Sequence, residues 1–81
     1  MEQHTDAAKR RAKLDQLILI EGFESEEVLL AAVITDSVSP AICMSDGCDY
    51  TAEMEPDQDR GWCEACGTNS VASALILAGI I

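Results

Sequence analysis

Residues 43–66 hold all four cysteines of the chain, first as Cys43-Met-Ser-Asp-Gly-Cys48 and then as Trp62-Cys63-Glu-Ala-Cys66-Gly67. Four residues lie within the first pair, two within the second, and fourteen between the pairs. Pairs spaced this way form two tight turns whose thiolates close on a single ion. No other stretch restricts the path of the chain as strongly. Zinc is the expected ion, because it is borderline-soft, has no geometric demand of its own, and accepts four sulfurs tetrahedrally at about 2.3 Å. Cys43, Cys48, Cys63 and Cys66 would fill every position around one Zn2+. A filled shell leaves no place for a reactive water, so the site is expected to be structural and not hydrolytic. Iron in the same sulfur set would instead make an electron carrier, and ligand type alone does not separate the two.

Two disulfides are the competing use of four cysteines. Residues 1–20 do not present basic, apolar and small-residue regions in the order of a secretory leader: Lys9-Arg10-Arg11-Lys13 precedes only Leu14 and Leu17-Ile18-Leu19-Ile20 before Glu21. The C-terminal apolar run from Ala74 to Ile81 is too short to span a bilayer. The expectation is therefore a cytosolic chain with no membrane segment and reduced thiols, where paired cysteines signify metal. A chain of 81 residues is one domain at most, and its core is too small to be secure without a staple.

Along the chain, Thr5 is a candidate N-cap and good helix formers follow it. Leu14, Leu17 and Ile18 recur at helical spacing, and Gly22 stops the run, predicting a helix over 5–21. Ser25 with Glu26 and Glu27 opens a second helix that is apolar nearly all round to Ile34, so it is expected to be buried against the first. Residues 38–42 read as an extended lead-in, because Pro40 biases Ser39 away from helix. Asp49–Met54 alternates as a strand, 55–61 has loop chemistry, and Trp62-Cys63 begins the return strand. From Thr68, Asn69 or Ser70 onward a helix with Val71, Ala74, Leu75 and Ala78 on one face is preferred over a strand, on alanine content.

Catalytic sets are missing from the pattern. The lone histidine, His4, sits in a segment expected to be frayed, so neither a Ser-His-Asp nor a Cys-His set can be assembled, and no enzyme activity is expected. The second helix lacks Arg, Lys, Asn and Gln, which argues against reading of DNA bases by helix-turn-helix. Fifteen acids against five bases give a formal charge of −10, a poor match to phosphate over most of the surface. Lys9-Arg10-Arg11-Lys13 is the one cationic run, read as a solvated helix face or, more sharply, as a contact for nucleic acid or for an acidic partner. Glu55, Asp57 and Asp59 are read as a solvated acidic loop, since the glycine a calcium loop needs is replaced by Trp62. Trp62 and Tyr50 flank the cysteines and are expected to pack over the thiolates, with a partner-binding face as the sharper alternative.

The string Gly47-Cys48-Asp49-Tyr50-Thr51, Glu55-Pro56-Asp57-Gln58 and Gly61-Trp62-Cys63-Glu64-Ala65-Cys66-Gly67-Thr68 resembles small uncharacterised proteins of bacterial and phage genomes. It is also similar at fold level to zinc ribbons, whose second knuckle Cys63-Glu-Ala-Cys66-Gly67 matches. The first knuckle departs, with four residues between its cysteines where zinc ribbons and rubredoxins usually have two. These residue patterns, to which the resemblance lends fold support, predict an α+β domain over 1–81, with a helical part at 5–36 and a zinc-ribbon-like part at 38–81. Two N-terminal helices would pack on a zinc-stapled β-hairpin, followed by a short C-terminal helix. The function expected is that of a small acidic zinc-binding interaction or regulatory module, a monomer or homodimer, with a protein partner for the surface around Glu55, Asp57, Asp59, Trp62 and Tyr50. The alternatives are nucleic-acid binding through Lys9–Lys13, a phage-type inhibitor of a host nucleic-acid-binding machine, and a rubredoxin-like iron or thiol redox protein.

Overall fold

The computed structural model describes residues 2–80, and side chains from residue 8 onward. Helix α1 runs over Glu2–Glu21 and α2 over Glu26–Val33. Four strands follow, β1 Ser39–Cys43, β2 Thr51–Met54, β3 Gly61–Cys63 and β4 Thr68–Ser73, and then a single helical turn, α3, Ala74–Leu77. The architecture is α+β, as the sequence predicts. The first helix starts three residues before Thr5. The expected roles of Thr5 as a cap and of His4 fall on side chains outside the described ones.

Both N-terminal helix boundaries follow from local chemistry. At the end of α1, the Phe23 N–H donates to the Ile18 carbonyl at 3.1 Å and the Gly22 N–H to the Leu19 carbonyl at 3.2 Å. These are the two bonds of a Schellman motif, and Phe23 packs back on the core as that motif favours. The Ser25 hydroxyl then accepts from the Val28 N–H at 3.3 Å, capping α2.

The sheet is fully antiparallel in the order β2-β1-β4-β3. The expected pairing of 49–54 with the strand at Trp62 does not form: β2 and β3 lie at opposite edges. The lead-in to the first cysteine is instead a central strand, in register with β2 (Ile42 opposite Thr51) and with β4 (Cys43 opposite Val71). Pro40 is tolerated there because the ladder with β4 begins only at Ala41. The C-terminal segment, expected to be helical, divides at Ser73. Thr68-Asn69-Ser70-Val71-Ala72-Ser73 satisfies the central ladder, and Ser73 then caps α3 by accepting from the Ile76 N–H at 3.3 Å.

Strand alternation produces two cores. Ile42 and Ala72 point to one face, where they join Leu14, Leu17, Ile18, Leu29, Val33 and Leu75 from the helices. Ala41, Cys43, Val71 and Cys63 gather on the other, with Cys48, Tyr50 and Met54 packed against them. The helices and the cysteines are thus served by opposite faces of one sheet. Helix α2 is less buried than its composition predicts. Leu29 and Val33 face the core, whereas Val28, Ala31, Ala32 and Ile34 are exposed. Eight residues form only about two turns, and one contact face is all that so short a helix can bury.

Candidate metal centre

Each cysteine pair belongs to its own hairpin. Cys43 ends β1 and Cys48 lies in the β1–β2 connection; Cys63 ends β3 and Cys66 lies in the β3–β4 connection. Pairing of β1 with β4 brings the two turns to the same end of the sheet. Both turns require a backbone conformation that favours glycine, and both have one: Gly47 at φ +75° just before Cys48, and Gly67 at φ +71° just after Cys66.

The four sulfurs all lie within 4.8 Å of one another. Cys43 Sγ is 3.8 Å from Cys66 Sγ, and Cys48 Sγ is 3.7 Å from Cys63 Sγ. A tetrahedron with metal–sulfur bonds of about 2.3 Å has edges of about 3.8 Å, so these separations suit a single central ion. Cys43 and Cys63 are buried, Cys48 is half-buried and Cys66 is exposed. The cluster can hold one metal ion.

Backbone amides support the sulfurs, with Ser45 N–H donating to Cys43 Sγ at 3.4 Å and Cys66 N–H to Cys63 Sγ at 3.3 Å. Ser70 Oγ lies 3.1 Å from Cys43 Sγ, and Thr68 Oγ1 lies 2.8 Å from Ser70 Oγ. With Cys43 as a thiolate, Ser70 donates to sulfur and Thr68 donates to Ser70 in turn. Burial pushes the Cys43 thiol up, but the hydrogen bonds from Ser70 and Ser45 outweigh it and bring its pKa down to about 6. At Cys63, burial prevails and raises the thiol.

Helix α1 reaches this end of the molecule through its basic run. Lys13 is buried and donates from Nζ to the carbonyl of Cys48, while Lys9 Nζ pairs with Asp46 at 3.4 Å. Arg11 is paired with Asp15 at 3.6 Å and also with Glu26. The solvated basic face expected from the sequence holds at Arg11, which stays exposed, and is corrected at Lys13, which is buried; Lys9 is half-buried. A buried lysine is uncommon without a partner, and four thiolates around a divalent ion carry a net −2 that a nearby ammonium offsets. Lys13 and Ser70 are the two contributors that sequence reading misses. Lys13 was masked by its place in a charged run. Ser70 becomes visible only through the register that sets Val71 opposite Cys43.

The sequence-predicted partner residues are dispersed. Trp62 is 56% exposed on edge strand β3, so it does not shelter the thiolates; its turn of the pleat faces outward between buried Gly61 and Cys63. Tyr50 is half-buried against the cysteine core. Glu55, Asp57 and Asp59 are exposed in the β2–β3 connection, at the end of the sheet away from the cysteines. That connection is held by Ser73, whose N–H donates to the Gln58 carbonyl at 3.1 Å and whose hydroxyl donates to the Pro56 carbonyl.

Comparison with protein-family models, with curated proteins and with solved structures finds no match to this chain. The four-cysteine cluster stands without an identified family. Among the described residues, no helix is long and apolar enough to cross a membrane.

Proposed function

We propose that this chain is a non-enzymatic protein-interaction module in which one structural Zn2+ holds the cysteine end of the sheet in shape. The carrying observation is the set of four sulfurs within 4.8 Å of one another, two of their pairs at 3.7 and 3.8 Å, with Ser70 and backbone amides directed at the sulfurs and Lys13 at the adjoining carbonyl. Such a site has no open position for substrate, so the working part of the molecule is its surface. That surface is acidic: seven acids lie between Asp46 and Glu64 against the single base Arg60. A basic protein segment is the complementary partner, received by Glu55, Asp57 and Asp59, with Trp62 exposed on β3, the strand that this loop enters. Burial of Lys13 and the ion pairs that Lys9 and Arg11 make with acids of this chain favour this reading over phosphate binding.

The test is elemental analysis and affinity capture on natively purified protein. One zinc per chain, a colourless solution, and partner capture lost on reversing the charges of Glu55, Asp57 and Asp59 are the expected results. A red iron-containing protein, or capture of every partner undiminished by the reversal, would overturn the proposal. DNA or RNA binding that falls steeply with added salt would transfer the function to phosphate recognition.

A further inference from the structure

Helix α2 buries Leu29 and Val33, packs half-buried Leu30 beside them, and turns its remaining apolar residues to solvent. Val28, Ala31 and Ala32 stand at i, i+3 and i+4 on its outer face, and Ile34, three residues beyond Ala31 at the C-cap, is 65% exposed. Glu27 is the lone charge on that face. Isolated exposed apolar side chains are ordinary, but three on one side of an eight-residue helix and a fourth at its C-cap form an unpartnered packing surface. Its shape suits another helix, because the small Ala31 and Ala32 lie between the bulkier Val28 and Ile34 and allow close axial approach.

The charge around it selects the occupant. From residue 14 to residue 59 the sequence contains twelve acids and no Lys or Arg. Glu21, Glu24, Glu27 and Asp36 are exposed at the two ends of α2. Glu26 is already paired with Arg11. A second copy of this chain would bring −10 against −10 and an acidic rim against an acidic rim. We infer that the outer face of α2 is a docking site for a basic amphipathic helix of another protein, seating apolar side chains on Val28, Ala31, Ala32 and Ile34 and directing Lys or Arg to the acids around them. This surface is separate from the Glu55–Asp59 loop, and either can fail without the other.

The zinc-loaded full chain, labelled with 15N, is titrated with a synthetic amphipathic Leu/Lys peptide of about 14 residues, long enough to form a helix on binding. Amide shifts concentrated at Glu27, Val28, Ala31, Ala32 and Ile34 are expected. Affinity should fall about tenfold or more in the exposed-site double variant Val28→Asp/Ile34→Asp, a change equal to about 1.4 kcal/mol. The triple charge reversal of Glu55, Asp57 and Asp59 should retain both the shift pattern and most of the affinity. Shifts spread evenly over acidic positions, or confined to 55–60, would overturn the inference without any variant being made. Equal binding of a peptide with its leucines replaced by serine would also overturn it. Sedimentation showing a dimer that the double variant dissolves would assign the face to a second copy instead.

Discussion

Ser70 and Arg11 show how far single side chains influence this molecule. The Ser70 hydroxyl is aimed at Cys43 Sγ and braced by Thr68, which fixes the thiolate that the metal needs. Removing such an outer partner characteristically weakens metal affinity by about 10–100-fold, and Ser70→Ala should do so in competition with a chromophoric chelator while the helices remain folded. Arg11 sits at the other extreme. Its exposed bridge to Glu26 links α1 to α2, and Arg11→Ala should cost below about 1 kcal/mol in urea denaturation at neutral pH. The hydrogen bond from Arg11 holds the Glu26 carboxyl below its ordinary value of 4.5, with burial opposing that shift and the guanidinium charge adding to it. A carboxyl depressed in the folded state stabilises above its unfolded pKa and loses that contribution as acid protonates it. The difference between the wild-type chain and Arg11→Ala should therefore be present at pH 7 and vanish as pH falls through and below about 4.5.

Elements that depend on near neighbours were legible in the residues, and those that depend on distant ones were not. Ser25, Gly22 and Phe23 set helix ends through bonds spanning a few positions, and those ends lie where the sequence places them. The cysteine spacing likewise marks the four residues whose sulfurs cluster. The strand at Ser39–Cys43 and the one at Thr68–Ser73 were read as a lead-in and a helix because each acquires its structure from the other, thirty positions away. Local propensity carries no trace of such a ladder. The exposed side of α2 was hidden for a similar reason: its apolar composition does not state which face will find a neighbour. At this scale Gly67 is the sharpest test. A side chain there meets no atom within 4 Å, so any cost of Gly67→Ala comes from its φ of +71° alone. About 1–2 kcal/mol of lost stability is expected, measured by thermal unfolding of the metal-loaded protein.

For the molecule as a whole, the two cores differ in what sustains them. The helical core is a set of aliphatic side chains from α1, α2, α3 and the sheet, whereas the opposite core consists of Ala41, Cys43, Cys63 and Val71 with partial help from Tyr50 and Met54. So little apolar volume gives the two knuckles only a small core of their own. Structural zinc contributes on the order of 10–16 kcal/mol, comparable to or larger than the roughly 5–15 kcal/mol that keeps an ordinary domain folded. Chelation should therefore abolish strand signals in circular dichroism and the dispersed amide resonances of β3 and β4, and re-addition of Zn2+ should restore them. Lys13 extends the effect to α1: with the Cys48 carbonyl no longer held in place, the buried ammonium loses its acceptor, and helical content should fall as well.

The strand order has one more consequence, for the time course of folding. β4 is the last strand to be made and yet it lies at the centre of the sheet, beside β1, the first. Until it arrives, β1 has a partner on one side only, and β3 has none. A chain of this design therefore carries open strand edges until β4 docks, the condition in which unrelated chains stick to one another. Its safest order of events is abrupt, with the central ladder closing as soon as β4 can reach β1.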